Sequence, residues 1–138
     1  GSAAIASHFA TDLSKISLER KKRISTISLV DNGPLITATS NDYGFEKIFS
    51  LQIEQLGSEG DLLFAISSSG NSKNIINAIE MAKFHKMKVV TLTGFDGGVA
   101  CSKSDISIIT KSDIGDYGPV EDSHSIICHY IAGELAKI

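Results

Sequence analysis

With 138 residues, 42% of them apolar and 21% charged, the chain is one ordinary domain's worth and can bury roughly 70% of the surface it exposes when unfolded. Two prolines and twelve glycines in such a mixture exclude disorder, collagen-like structure and coiled coil. Thirteen basic against sixteen acidic side chains leave −3, which gives no general attraction to nucleic acid or an acidic membrane, and the longest apolar runs fall far short of the ~20 residues that span a bilayer.

The first element along the chain is a helical pattern over 3–16, followed by the charged stretch Glu19-Arg-Lys-Lys-Arg23, expected to be a solvated turn. The β-rich run Ile24-Ser-Thr-Ile-Ser-Leu-Val30 predicts a strand. Asp31-Asn-Gly-Pro34 ends it and opens a short helix through Thr39. Asn41-Asp42 is then expected to cap a longer helix, on which Phe45, Ile48, Phe49 and Ile53 recur at helical spacing.

The clearest unit follows: the strand Asp61-Leu-Leu-Phe-Ala-Ile66, the turn Ser67-Ser-Ser-Gly-Asn71 and a helix over 72–85. The same order recurs with the strand Lys88-Val-Val-Thr-Leu-Thr93, a turn over 94–98, a short helix over 99–103 and the strand Asp105-Ile-Ser-Ile-Ile109. A final helix covers 119–137. Strands apolar on both faces and alternating with helices predict an α/β, three-layer sandwich around a central parallel sheet, with ligands beside the carboxyl ends of its strands. No repeat or linker interrupts the chain, so residues 1–138 are expected to form a single domain. Nothing resembles a secretion signal, and two cysteines, Cys101 and Cys128, are too few for a disulfide-built domain, so the expected compartment is the cytoplasm.

Ile66-Ser-Ser-Ser-Gly-Asn-Ser72 occupies the position where a ligand belongs. Three consecutive serines bring hydroxyls, Gly70 lets the backbone come close, and the next helix opens with unpaired N–H groups at the positive end of its dipole. Those features cradle a dianion. The alternative is a serine-rich turn in which Asn71 or Ser72 only caps the helix. Neither the spaced glycines of a dinucleotide site nor a Gly-Lys-Ser/Thr loop is present, which favours the phosphate of a small molecule over a nucleotide.

With Gly60-Asp61 before it and Lys88-Val-Val-Thr-Leu-Thr-Gly94 after it, this turn resembles the sugar isomerase (SIS) domain, specifically its phosphoheptose isomerase branch. Gly1-Ser-Ala-Ala4, His8-Phe-Ala-Thr-Asp-Leu13, Ser40-Asn-Asp-Tyr-Gly-Phe-Glu46 and the late histidine-bearing helix resemble that branch in the same order. The resemblance implies a flavodoxin-like fold and a cytoplasmic homotetramer with active sites shared between subunits. The implied reaction isomerises sedoheptulose 7-phosphate for surface polysaccharide. Ser67, Ser68, Ser69 and Ser72 inherit the phosphate role, and Ser2, Asn41 and Asp42 become sugar contacts. For Asp42 the competing reading is the helix cap. Family members carry a helix and strand before the Gly-Ser-Ala-Ala segment, whereas this chain begins there. A native serine at position 2 is expected in preference to a cloning scar; a true start at this point would leave Ser2 untethered and a sheet edge exposed.

Ketose–aldose conversion moves a proton between neighbouring carbons through an enediol, which needs a general base and a group that moves protons on oxygen. His8 and Asp12 stand four residues apart, about 40° around a helix, and share a face. By resemblance, His8 is a metal ligand and Asp12 replaces a glutamate that is both ligand and base, one methylene shorter here. On the last helix Glu121 replaces a glutamine that contacts substrate and metal, and His129 inherits the roles of ligand and general acid. Helical geometry alone selects differently: from Glu121, His124 lies about 60° away, Cys128 about 20° and His129 about 80° on the other side, so the tight stripe holds His124 and Cys128. Cys128 is then expected as a buried apolar residue.

The donors His8, Asp12, Glu121 and His129 suit zinc, and no organic cofactor is implied. Met81 and Met87 read as core filler, Asp96-Gly-Gly98 as a turn able to border the sugar, and Tyr43, Phe45 and Phe49 as core or subunit contacts. The expected partners are a phosphorylated sugar and further copies of the chain, with no nucleic acid and no membrane. A different reading, a non-catalytic phosphosugar-binding regulator or scaffold, gains weight from the departures at Asp12 and Glu121.

Overall fold

A computed structural model describes residues 1–20 and 24–138. Its elements, in order, are α1 (Ser2–Arg20), α2 (Gly33–Tyr43), a 3₁₀ turn (Phe45–Lys47), α3 (Ser50–Leu56), β1 (Leu62–Ser67), α4 (Lys73–Phe84), β2 (Lys88–Gly94), α5 (Gly98–Lys103), β3 (Ile106–Thr110) and α6 (Tyr117–Leu135). The strands form one parallel sheet in the order β1-β2-β3, with Ile66 opposite Leu92 and Ser67 opposite Thr93. Parallel strands need crossovers, and α4 and α5 supply them.

Two apolar layers cover the sheet. On one side Ala78, Ile79 and Ala82 of α4 and Ala100 of α5 pack with Val89 of β2 and Ile53 of α3. On the other, Phe9 and Ile16 of α1 and Cys128 and Ala132 of α6 pack with Ile66 and Leu92. Val89 and Leu92 are successive examples of opposite faces, and both are fully buried. Each contributes about 1.5–3 kcal/mol by leaving water. Helices therefore flank an open parallel sheet as three layers, which is the expected α/β architecture. Among the described residues no helix is long and apolar enough to cross a membrane.

The strand expected over 24–30 does not form. Residues 24–28 lie along α1 instead, tied to it by hydroxyls: Ser17 Oγ accepts from the Ile24 N–H at 3.0 Å, Ser14 and Thr26 hydroxyls meet at 2.8 Å, and Thr26 donates to the Ala10 carbonyl at 3.1 Å. Ser7 closes the set with a short bond to Asp31. The alternation of Ile with Ser and Thr suits a helix-bound strap as well as it suits a strand. The charged stretch is split, since Glu19 belongs to the last turn of α1 and residues 21–23 lie outside those described.

Asn41 and Asp42 cap nothing. They fall in the last turn of α2, which Asn32 opens by accepting from the Leu35 N–H at 3.1 Å and which ends at Gly44. The helix expected from Phe45 to Ile53 is divided into the 3₁₀ turn and α3, and Gly44, at φ +97°, separates α2 from both.

Candidate functional site

The serine turn leaves the carboxyl end of β1 and enters α4, held by its own hydroxyls and by the turn after β2. Ser67 Oγ accepts from the Gly70 N–H at 3.2 Å, and Ser69 Oγ accepts from the Asn71 N–H at 3.2 Å. The Gly94 N–H donates to the Ser68 carbonyl and the Ala100 N–H to the Gly70 carbonyl, both at 2.9 Å. Asn71 Oδ1 is taken by the Val99 N–H at 3.0 Å. Gly70 has φ +63°, and a Cβ there would sit 2.1 Å from the Gly97 carbonyl oxygen. The two turns thus lock together through backbone that only glycine permits.

That interlock fixes what each serine has to offer. Ser67 and Ser69 spend acceptor capacity inside the turn, Ser68 is buried with its hydroxyl unpartnered, and Ser72 is exposed at the start of α4. Neither Asn71 nor Ser72 caps α4 through its side chain. Of the first turn's N–H groups, that of Ile75 is taken by Asn74 Oδ1 at 2.9 Å, which leaves those of Lys73 and Asn74 to be offered together with the exposed Ser72 hydroxyl.

A second cluster forms where α1 and α6 pack together. His8, Asp12 and His129 each place one ligand atom within 4.8 Å of the others. His8 Nε2 lies 3.3 Å from His129 Nε2, and Asp12 Oδ2 lies 3.5 Å and 3.8 Å from those two nitrogens. Two Nε2 atoms this close cannot both carry protons toward one another, so at least one lone pair points into the gap. Two imidazoles and one carboxylate are donors that zinc accepts. Ile5, Phe9, Ser125 and Cys128 complete the shallow cleft around them. Burial, reinforced by the Asp12 carboxylate, pushes the Cys128 thiol up to about 11, so it serves as wall and not as ligand.

Glu121 is not part of this group. It stands two helical turns from His129, about 12 Å along the axis. Its Oε1 lies 3.7 Å from the Gly1 nitrogen instead, which puts the carboxylate beside the entry to α1 and next to Ser2 in the chain. Asn41 and Asp42 are exposed, with Asn41 Nδ2 donating to Asp42 Oδ1 at 2.9 Å. The stripe Val120, His124 and Cys128 faces the core and is fully or almost fully buried, whereas His129 lies on the flank toward α1. Cys128 is buried as expected and His124 is buried with it, while Glu121, from which that stripe was measured, is not, and the clustered histidine, His129, is on the neighbouring face. His124, which the helical spacing grouped with Cys128, is sealed with its ring at the carboxyl end of β2 and takes no part in the exposed cluster.

Fold and site together define an open parallel α/β domain with a hydroxyl-lined turn and a histidine–carboxylate cluster at its helix edge. The family model for the SIS domain matches residues 1–94, and the chain belongs to that family. It is similar to the phosphoheptose isomerase of Helicobacter pylori strain HPAG1, 44% identical over 132 residues, which span 95% of this chain and 67% of that one. The phosphoheptose isomerase of Aliarcobacter butzleri is 39% identical over 140 residues, 99% of this chain and 73% of that one. Solved phosphoheptose isomerase structures from Francisella tularensis and Neisseria gonorrhoeae superpose with TM-scores of 0.88 and 0.87 at 34% and 31% identity, each covering 99% of this chain and 71% of the other.

Proposed function

We propose that the protein is an aldose–ketose isomerase that converts sedoheptulose 7-phosphate to D-glycero-D-manno-heptose 7-phosphate through an enediol, supplying heptose for surface polysaccharide. The observation that carries this reading is the meeting of His8 and Asp12 with His129, 121 residues beyond His8, in a chain whose relatives bear the name phosphoheptose isomerase. Ser67, Ser68, Ser69 and Ser72, with the first N–H groups of α4, bind the phosphate. Ser2, Asn41, Asp42 and Glu121 contact the sugar.

Asp12 acts as the general base that takes the carbon-bound proton, and His129 as the acid that returns a proton to oxygen. Their separation of 3.8 Å lets both address one substrate carbon–oxygen unit. His8, Asp12 and His129 are the residues that would hold zinc, with Glu121, two turns away along α6, standing apart from them. Bound there, zinc supplies Lewis-acid polarisation of a sugar oxygen. Residues 1–138 act as one SIS domain in a cytoplasmic homotetramer; exposed Ile126 and Tyr130 on α6 and Leu18 on α1 suit subunit contacts.

The second reading, a phosphosugar-binding regulator without catalysis, rests on Asp12, whose side chain is one methylene shorter than glutamate. Incubation with sedoheptulose 7-phosphate, with and without zinc, followed by NMR of the aldose product decides between them. Turnover is expected. Tight phosphosugar binding without turnover would select the regulator.

A further inference from the structure

The structure seals polar side chains that no hydrogen bond satisfies, His124 and Ser68 among them. His124 is 0% exposed, and neither ring nitrogen has a hydrogen-bond partner. The Ser68 hydroxyl is buried and equally unpartnered. Burying such groups unmade is unfavourable, and each one calls for an explanation. Apolar alternatives fit this face of α6, as Val120 and Cys128 show one turn to either side.

The two groups share one face of the sheet. Ile66 and Leu92 pack toward Cys128 of α6, and side chains alternate along a strand, so Ser68 and Gly94, two residues further on, belong to the same side. They also continue the register, with the Gly94 N–H bonded to the Ser68 carbonyl at 2.9 Å. A Cβ at Gly94 would lie 2.6 Å from Val120 Cγ1, so the glycine is what lets α6 seat directly against the strand ends. His124 follows Val120 by one turn and meets the Thr93 backbone there, without a bond of normal geometry. Burial keeps the imidazole neutral, against the opposing pull of the Thr93 backbone and Glu121. A neutral ring has one N–H to give.

We propose that His124 is a positioning residue for the phosphate turn: it donates its N–H to Ser68 Oγ when an anion is bound, and so directs the Ser68 O–H at that anion. The proposal rests on the reading of the turn as a phosphate site. It ties α6, which carries Glu121 and His129, to the phosphate end of the substrate through a single side chain.

The test measures melting temperature and the Kd for sedoheptulose 7-phosphate and for inorganic phosphate in four forms: unaltered, His124→Leu, His124→Asn and Ser68→Ala. His124→Leu is expected to melt at or above the unaltered protein, because an unpartnered polar ring gives way to an apolar side chain. The same variant should bind at least tenfold more weakly. His124→Asn, which keeps an N–H, should bind within threefold of the original. Ser68→Ala should match His124→Leu, and combining the two should weaken binding no further. Leucine and asparagine variants that weaken binding equally while melting lower would overturn the proposal in favour of a packing role. A leucine variant that binds normally would overturn it too. An unaltered protein that binds neither anion would overturn the phosphate reading, and this proposal with it.

Discussion

His129 is half-exposed beside His8 and Asp12, while His124, five residues earlier, is entirely enclosed, and this contrast separates a group able to meet substrate from one that acts through its neighbours. Replacing His129 with alanine should lower kcat by about 10²- to 10⁴-fold, the usual contribution of a positioned acid. The Kd for sedoheptulose 7-phosphate should stay within threefold, as calorimetry can check; unchanged turnover would remove His129 from its role. Cys128 behaves in the opposite sense. With its thiol pushed to about 11 and its side chain almost fully buried, it should resist iodoacetamide near neutral pH until the protein is unfolded. Mass spectrometry of the native protein should find label on half-buried Cys101 at most.

At the level of elements, the interlocked turns after β1 and β2 are the most demanding local structure. Gly70→Ala would incur about 1–2 kcal/mol for its left-handed backbone alone, and the 2.1 Å approach of the new Cβ to the Gly97 carbonyl adds to that. A fall in melting temperature accompanied by weaker phosphate binding is expected; an unchanged melt would contradict the interlock. The strap over 24–28 predicts a smaller effect: Thr26→Val, losing its bonds to Ser14 and Ala10, should destabilise by about 1 kcal/mol in urea titration. These elements also show what the sequence makes legible. β1, β2 and α4 can be read directly because buried parallel strands are continuous apolar runs, closed here by Ser-Gly and Thr-Gly turns. The strap cannot, because Ile24-Ser-Thr-Ile-Ser28 carries strand periodicity while its partners are hydroxyls on α1, a tertiary choice outside any local window. Asn41-Asp42 is a comparable case, since good capping residues here end a helix that Asn32 has already begun.

Across the whole molecule the site is assembled from two helices far apart in sequence, and that is why spacing alone could not find it. His8 with Asp12 is visible as a helical pair, but their meeting with His129 depends on α1 packing along α6. Burial holds the His124 imidazole below its ordinary value of 6.5, so below that pH the unfolded chain takes up a proton that the folded chain refuses. Stability should therefore fall as pH drops from about 6.5, by at most about 1.4 kcal/mol per pH unit from this group, and level off once the folded ring also titrates. His124→Leu should flatten that slope. Asp105, held below 3.8 chiefly by the Val89 N–H, adds stability that is lost only in stronger acid, as pH falls through its depressed value. Function in this molecule turns on where an anionic sugar end lodges. The most direct measurement is a crystal structure of the protein with sedoheptulose 7-phosphate. The expected density places the phosphate against the Ser72 hydroxyl and the first N–H groups of α4, while a phosphate bound elsewhere, with that turn left to solvent, would contradict it.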